Sequence, residues 1–552
     1  MKRTAILFVG FMGLAMIMPS CKQKTQPQSE PTSGQEPSEM QQKVEEFAYF
    51  DLNSELVNNL SDNDKALLKI FIQISDIMDN LFWKQTFGDK TLLDTITDSY
   101  TKDFCMINYG AWERLNENKP FVNGYGTKFA GCQYYPADMT VEEFDNWNNP
   151  DKNSLYTVIR RDEAGKLKAV WYKDEYKTEL LQVCELLDNA IAIAQDEGMK
   201  KYLIERKKAF QTDQYYASDI AWMDMKSSLL DFVVGPIENY DDHLFEAKAS
   251  YEAFILIKDE ARSKELAKFV QMLPKLQKEL PCDPKYKQFT PGTSSDLNVY
   301  DAVYYAGDCN SGSKTIAINL PNDEKVHAVK GARRLQLRNS MLAKFDKILV
   351  PISKVIIEPA QQQNIKFDAF FWNVMFHEVS HGLGVKQTIN GKGAVDKALG
   401  KESTTWEEAK ADILGLYMTC KMVETGEITN ITAEDAVVTY MAGLLRSVRF
   451  GAASSHGKAN ILCYNFMEKA GAFARNTDGT YHIDMEKAKQ AIDNWAALIL
   501  KLQAEGDIEF ALQYKETNCV VTPALQQDLD KINHSGIPRD IRFKQGAAVL
   551  GL

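Results

Sequence analysis

Basic charge is in deficit in this sequence. Its 552 residues include 64 lysines and arginines but 76 aspartates and glutamates, so the formal net charge is −12 and the isoelectric point is near 5.3. A surface of that sign repels phosphate groups, which argues against nucleic acid or anionic lipid as the main partner. Hydrophobic residues make up 45% of the chain and charged residues 25%, as is usual for a globular protein with an ordinary core.

Long apolar runs are missing beyond the N-terminus, so no internal segment is expected to span a bilayer. The first 21 residues differ, because Lys2 and Arg3 precede an apolar stretch at 5–18, and Met18-Pro19-Ser20-Cys21 resembles a bacterial lipobox. The pattern predicts a signal peptide at 1–21 that ends at a lipidated Cys21. It therefore predicts an exported, membrane-anchored lipoprotein, periplasmic or on the cell surface; an ordinary secretory signal is the alternative.

Cysteine spacing offers no metal motif. Nine cysteines occur, and none forms a C-x-x-C pair, so a cysteine-based zinc site is not expected. Apart from Cys21, they can pair as disulfides in an exported protein or remain buried free thiols, and their spacing does not choose between these states.

Hydrophobic periodicity gives a coarse outline of the secondary structure. It predicts a helical segment at 47–84, a hairpin at 156–172, and one long amphipathic helix at 178–211. From about residue 343 to 525 the pattern is mostly helical. The mixture predicts an α+β protein with a helical part, a mixed part and a cleft between them.

Histidine is scarce, with seven in the chain, and two of the seven lie at ligand spacing. His377-Glu378-Val379-Ser380-His381 reads H-E-x-x-H, which on a helix directs both imidazoles to one side. His377 and His381 can therefore bind one metal ion, and Glu378 can act as general base toward a water on that metal. A buried helix with two hydrogen-bonded histidines is the structural alternative.

A second acidic cluster follows about thirty residues later. Glu408 and Asp412 lie at i and i+4 on one helical face, and Glu407 lies beside them. One carboxylate can complete a three-ligand zinc site, while the others can orient the ligand histidines. The apolar continuation at 413–418 predicts a buried helix, whereas a solvated acidic helix start is the alternative.

Two histidines and one carboxylate leave a metal position open for the chemistry of amide hydrolysis. That reaction also needs a group that stabilises the tetrahedral oxyanion. His456, which begins another helix, and Tyr240, in a turn after a strand, are the candidates for this task. Asn319 and Asn322 lie where a strand meets a turn, with side chains available for binding.

The chain resembles the dipeptidyl peptidase III family of zinc exopeptidases from about Phe47 onward. The paired motifs at 377–381 and 407–412 are similar to the zinc motifs of that family. Five other stretches resemble its bacterial members: 108–115, 135–140, 236–240, 318–322 and 455–460.

This resemblance implies a role for each matching residue. His377, His381 and Glu408 would hold one Zn²⁺ ion, with Glu378 as base and with Glu407 and Asp412 behind the histidines. Tyr240 and His456 would polarise the scissile carbonyl. Glu238, Asn319 and Asn322 would bind the free α-amino group of a short peptide, so that dipeptides are released from its N-terminus.

The resemblance also implies two lobes: a mostly helical zinc-bearing lobe and a mixed lobe with a small barrel-like sheet, separated by a wide cleft. The expected boundaries are a disordered tether at 22–45, the mixed lobe at 46–258 and 301–345, the helical lobe at 259–300 and 346–535, and a tail at 536–552 that packs on the mixed lobe.

One feature departs from the family. Its commoner motif is H-E-x-x-G-H, whereas in this chain Gly382 follows His381. The ligand assignment is unaffected, but cutting efficiency and substrate preference are open. An aminopeptidase or endopeptidase with another cutting rule, and a peptide-binding lipoprotein without catalysis, are the alternative functions.

Overall fold

The computed structural model describes residues 37–291, 296–452 and 454–552. The predicted signal peptide and Cys21 lie outside these ranges, as does most of the predicted tether. Residues 39–45 were assigned to that tether, but Glu39–Glu45 is a helix whose Val44 is buried with Phe47 and Phe104. The ordered part therefore begins before residue 46. No described helix is both long and apolar enough to cross a membrane.

Helices carry most of the described chain. Their bounds are Glu39–Glu45, Asp62–Thr86, Leu92–Thr95, Ser99–Asn108, Val141–Asn146, Tyr172–Glu175, Lys177–Ile193, Glu197–Thr212, Tyr216–Asp224, Glu260–Lys278, Glu324–Lys330, Arg338–Lys344, Val350–Ile356, Phe367–Ser380, Val395–Leu399, Ser403–Glu424, Ala433–Val448, Ser455–Lys469, Met485–Glu505, Ile508–Asn518 and Pro523–Asn533. The strands are Phe47–Asp51, Trp112–Glu113, Lys119–Pro120, Thr157–Arg161, Leu167–Trp171, Leu230–Pro236, Tyr251–Lys258, Asp296–Gly307, Ala317–Leu320, Arg333–Leu337, Phe473–Arg475, Tyr481–Ile483 and Asp540–Lys544.

The predicted α+β class with two lobes is confirmed. The mixed lobe contains a curled half-barrel of five strands, in the order Leu230–Pro236, Tyr251–Lys258, Asp296–Gly307, Arg333–Leu337, Ala317–Leu320. Neighbours are antiparallel, except that Asp296–Gly307 and Arg333–Leu337 are parallel.

Two hydrophobic cores correspond to the two lobes. One gathers the half-barrel and the helices before residue 225, and the other gathers the helix Glu260–Lys278 and the helices between residues 341 and 532. The strand Asp296–Gly307 passes between them, because Leu297 and Val299 belong to the helical core whereas Tyr300 and Ala302 belong to the mixed core. One face of the sheet therefore looks toward the helical lobe.

Two secondary-structure predictions were wrong. The helical pattern assigned from residue 47 onward begins at Asp62, because Phe47–Asp51 pairs in parallel with Asp540–Lys544 at the other end of the chain. The long helix expected at 178–211 is two helices. Asp196 caps the second by accepting a hydrogen bond from the Met199 backbone N–H, which interrupts the apolar pattern.

The eight described cysteines are all free thiols. Among the residues that the structure covers there is accordingly no disulfide. Five of the eight thiols are buried, whereas Cys282, Cys420 and Cys519 are partly exposed.

Candidate metal centre and cavity

The H-E-x-x-H motif lies at the end of the helix Phe367–Ser380, which we call the motif helix. This helix is apolar on every side, with Phe371, Trp372 and Phe376 fully buried. His381 follows its last residue but keeps helical backbone angles, and its N–H contacts the His377 carbonyl at 3.3 Å. The i, i+4 relationship is thus preserved, and the two imidazole rings lie 4.9 Å apart, nearly perpendicular.

The second cluster lies on the helix Ser403–Glu424, which we call the acidic helix. It packs closely against the motif helix because Gly415 has no side chain at the crossing. A Cβ at that position would lie 2.8 Å from the His377 nitrogen and 2.9 Å from the Asn373 oxygen. The close approach brings Glu408 to the two histidines.

Glu408 is the carboxylate that meets both imidazoles. Its Oε2 lies 3.4 Å from Nε2 of His377 and 3.9 Å from Nε2 of His381. Ligand atoms on a tetrahedral Zn²⁺ are separated by roughly 3.3 Å, given metal–ligand bonds near 2.0 Å. This Oε2 is buried without a hydrogen-bond partner, although three imidazole nitrogens surround it. A buried, unpartnered carboxylate oxygen among imidazoles fits a divalent metal, and His377, His381 and Glu408 form a group that could hold one.

The other two acids bind the far nitrogens of the same rings. Asp412 lies 2.5 Å from Nδ1 of His377, and Glu407 lies 3.1 Å from Nδ1 of His381. Asn460 donates to Asp412 at 3.0 Å. Each ring is therefore fixed so that its Nε2 is presented to the shared centre.

Glu407 is held in turn by two donors. Lys410 Nζ lies 2.8 Å from its Oε1 and also donates to the Leu383 carbonyl at 2.9 Å. Gln503 donates to its Oε2 at 3.1 Å. Burial would raise the pKa of Glu407, but the ammonium of Lys410 and the ring of His381 outweigh burial and lower it. Lys410 was not among the residues singled out from sequence.

Charge at the centre is strongly coupled. Burial would raise the pKa of Glu408, but the nearby rings of His377 and His456 lower it. Burial alone would lower the pKa of His377, yet the Asp412 and Glu408 carboxylates raise it well above its usual value. The carboxylates of Glu408 and Asp412 thus attract positive charge into a buried site of low dielectric constant, as a metal site requires.

A cavity of about 710 Å³ opens beside this centre and is lined by residues of both lobes. Nine of the eleven site residues chosen from sequence line it: Glu238, Tyr240, Asn319, Asn322, His377, Glu378, His381, Glu408 and His456. The remaining two, Glu407 and Asp412, lie behind the histidines. His456 reaches the centre directly, with Nδ1 3.1 Å from Glu408 Oε2, while its side chain is 62% exposed.

The mixed lobe contributes a polar clamp to the same cavity. Asn322 donates to the Glu238 carboxylate at 2.9 Å, and Asn319, three residues earlier in the strand Ala317–Leu320, lines the same cavity. Burial raises the pKa of Glu238 more than the Asn322 hydrogen bond lowers it. A carboxylate with amide oxygens beside it can bind a primary ammonium group.

Two acidic residues near this clamp were missed in the sequence. Glu252 and Asp308 line the cavity; Glu252 is buried and Asp308 is half-buried. Burial raises the pKa of Asp308 to about 7, and burial together with Asp308 raises that of Glu252 well above its usual value. A single glutamate inside the otherwise apolar strand Tyr251–Lys258 was the available signal for Glu252.

The segment that carries Glu238 and Tyr240 is anchored by the two aspartates that follow it, Asp241 and Asp242. Fully buried Asp241 binds Arg114 at 2.8 Å and Lys128 at 3.1 Å. Asp242 accepts hydrogen bonds from four backbone N–H groups of residues 244–248. These contacts fix a turn whose Tyr240 is 72% exposed at the cavity.

A family model and two solved structures relate this chain to peptidases, and one curated relative carries another name. The model of peptidase family M49 matches residues 149–397, which include the H-E-x-x-H motif but not the acidic helix. A curated relative, Nudix hydrolase 3 of Arabidopsis thaliana, is 30% identical over 91% of this chain and 73% of its own length.

Two solved structures are similar over nearly their whole length. The structure of DPP III from Caldithrix abyssi is 34% identical, with a TM-score of 0.88, and the match covers 92% of this chain and 98% of that one. The dipeptidyl-peptidase III from a Corallococcus species, strain EGB, is 35% identical, with a TM-score of 0.77 and coverage of 92% and 97%.

Proposed function

Since this chain belongs to peptidase family M49, the dipeptidyl peptidase III family, and is a metallopeptidase, we propose that it is a zinc-dependent dipeptidyl peptidase that releases dipeptides from the N-terminus of short peptides. The observation that carries the proposal is the clamp of Glu238 and Asn322 in the same cavity as His377, His381 and Glu408. A site that binds a cationic N-terminus at a fixed distance from the reacting bond measures off a set number of residues.

In this proposal His377, His381 and Glu408 hold the Zn²⁺ ion. Imidazole and carboxylate donors with three protein ligands are typical of catalytic zinc. When bound, zinc supplies a Lewis acid that polarises the peptide carbonyl and makes water nucleophilic near neutral pH. Asp412 and Glu407 keep the Nδ1 protons of the two rings in place, so that both Nε2 lone pairs remain available.

The remaining steps belong to side chains of the chain itself. Glu378, the residue that follows His377 in the sequence, lines the cavity. It accepts the proton of the attacking water and then delivers it to the leaving amine. His456 and Tyr240 donate to the oxygen on which negative charge develops. Glu238, Asn319 and Asn322 bind the α-amino group.

The test is the identity of the released product. Purified protein is incubated with an unblocked hexapeptide, and products are identified by mass spectrometry with and without a chelator. We expect dipeptides that disappear with the chelator and return with zinc. Single amino acids would indicate an aminopeptidase, internal fragments an endopeptidase, and intact peptide a binding protein.

A variant separates catalysis from metal binding. We expect Glu378→Gln to lower kcat by roughly 10²- to 10⁴-fold, the usual contribution of a general base, while the zinc content stays at one per chain. Undiminished turnover in this variant would contradict the assigned mechanism.

The proposal includes an exported, membrane-anchored location through Cys21, which is supported by the basic start, apolar stretch and lipobox-like residues of the sequence. Fractionation of cells that produce the natural chain or Cys21→Ser tests it. Membrane recovery of the natural chain, and its loss in the variant, is the expected result.

A further inference from the structure

Two polar residues of the strand Arg333–Leu337 lie on the face of the sheet that looks toward the helical lobe. Arg334 is paired in register with Asn319, and Gln336 with Ala317. Residues paired across two strands have their side chains on the same face. Asn319 and Ala317 both line the cavity, so Arg334 and Gln336 lie on the same face of the sheet as two residues of its lining.

These two side chains have no partners within the described residues. Arg334 makes no hydrogen bond or ion pair there, and its Nε is buried. Gln336 is fully buried, and both its Oε1 and its Nε2 lack a partner. A buried guanidinium or amide that forms no hydrogen bond is costly to keep.

The neighbouring arginine in this strand has a guanidinium group whose hydrogen-bond donors are paired. Arg333, on the opposite face, binds Asp231 at 3.1 Å and Asp296 at 2.8 Å, and also donates to the Met225 carbonyl. Since this lobe pairs Arg333 with two carboxylates, the unpaired state of Arg334 one residue later needs another explanation.

Electrostatics place Arg334 next to the reacting centre. Burial lowers the pKa of Arg334, and the carboxylates that oppose this shift are those of Glu378 and Glu407. Neither forms an ion pair with it. A positive charge therefore lies close to the proposed general base and is free to bind an anionic group that enters the cavity.

We infer that Arg334 forms a subsite for a carboxylate group of the bound peptide. A guanidinium binds carboxylates with two parallel hydrogen bonds, and Arg334, unlike the fully buried Gln336, is partly exposed. The carboxylate is either the C-terminus of a short peptide or an acidic side chain. The inference rests on the proposed function, because its ligand is a peptide in the same cavity.

Binding of matched tetrapeptides distinguishes the two sources. One pair differs by a free or amidated C-terminus, and another by Glu or Gln at the third position. Dissociation constants are measured by calorimetry in zinc-loaded Glu378→Gln, so that the peptides stay intact. We expect the carboxylate member of at least one pair to bind roughly tenfold more tightly or better.

Arg334→Met in the same background should abolish that preference, and Arg334→Lys should retain part of it. Arg334→Met should also melt at the same or a higher temperature without peptide, because it removes an unpaired buried charge. Arg338→Met is the matched control. Arg338 binds Asp301 at 2.6 Å and 3.0 Å, so its loss should lower the melting temperature and leave the preference intact.

Three outcomes would overturn the inference: equal binding of all four peptides, an unchanged preference in Arg334→Met, or a clear loss of thermal stability in that variant. Turnover is scored separately with Glu378 intact. If no dipeptide is released but the carboxylate preference depends on Arg334, the proposed function fails and the subsite stands.

Discussion

Oδ1 of Asp412 lies 2.5 Å from Nδ1 of His377, while Nε2 of the same ring lies 3.4 Å from Glu408. An ionised carboxylate only accepts hydrogen bonds, so the Nδ1 atom keeps its proton, and a metal ion that displaces the second ring proton binds at Nε2. The tautomer that binds metal is therefore set by a residue that does not itself reach the metal position.

The first prediction follows from this contact. Asp412→Asn keeps the size of the side chain but removes the charge that fixes the His377 tautomer. We expect zinc affinity to fall by about 10- to 100-fold, as is usual when such a partner is lost. Competition with a chromogenic chelator measures the affinity directly and does not depend on turnover.

The chain offers a control with the same chemistry elsewhere. Glu358 lies 2.8 Å from Nδ1 of His482, far from the acidic helix in sequence and outside the cavity lining. Glu358→Gln should leave zinc affinity unchanged. An equal loss in both variants would mean that the effect of Asp412→Asn is general and not transmitted through His377.

The second prediction concerns the clamp for the peptide N-terminus. Glu238→Gln removes the charge that would bind the α-amino group while keeping the contact with Asn322. The kcat/KM for a peptide with a free N-terminus should fall roughly 10- to 100-fold, whereas the low value for the acetylated peptide should hardly change. The ratio of the two substrates is the quantity to compare.

Glu324→Gln serves as its control, since Glu324 is an exposed acid close in sequence to Asn322 that does not line the cavity. That variant should keep the natural ratio. If Glu238→Gln also preserves the preference for a free N-terminus, the clamp assignment is wrong.

The metal centre could be predicted from the sequence because its residues lie close together along the chain, at helical spacing. His377 and His381 need one helical turn, and the acidic cluster needs a second turn of the same kind. Packing the two helices then requires a small residue at the crossing, and Gly415 supplies it. The roles given to these residues remain predictions, whereas their proximity is a property of the fold.

The other features of the fold and the cavity could not be predicted from the sequence, because they depend on long-range strand pairing. Arg334 gains its meaning from its register with Asn319, and Phe47–Asp51 becomes a strand because the chain end at Asp540–Lys544 pairs with it. Neither register has a local signature in the sequence, since strand pairing depends on partners brought together by the whole fold. Glu252 and Asp308 likewise meet only because Tyr251–Lys258 pairs with Asp296–Gly307, which sets Glu252 opposite Gly307.

The third prediction uses a buried acid in the mixed lobe. Burial raises the pKa of Asp213 to about 7; the side chain is 2% exposed and its Oδ1 has no hydrogen-bond partner. Between pH 4 and 7 the folded chain binds this proton more tightly than the unfolded chain does, so stability falls as pH rises. The loss amounts to at most about 4 kcal/mol, at about 1.4 kcal/mol per pKa unit.

Asp213→Asn removes the titrating carboxyl group. Asparagine also tolerates the left-handed backbone, at φ 57°, that this position requires. We expect the melting temperature of the variant to decline less than that of the natural chain between pH 5 and pH 8, and to be the higher of the two at pH 8. Parallel curves across this range would show that Asp213 does not carry the pH dependence.

The last prediction tests the crossing of the motif helix and the acidic helix. A methyl group at Gly415 would lie 2.8–3.0 Å from backbone atoms of His377 and Asn373, which cannot rotate away. Gly415→Ala must therefore push the helices apart, at a cost of about 1–3 kcal/mol, and it must draw Glu408 away from His377.

Gly443 in the helix Ala433–Val448 is the matched control, because a methyl group there meets only a Leu349 side-chain carbon at 4.0 Å. Gly443→Ala should keep or raise the melting temperature, since alanine favours a helix over glycine by roughly 0.5–1 kcal/mol, and it should keep zinc affinity. Gly415→Ala should lower both quantities. Retention of full zinc affinity in Gly415→Ala would show that the distance between the two helices does not set the metal site.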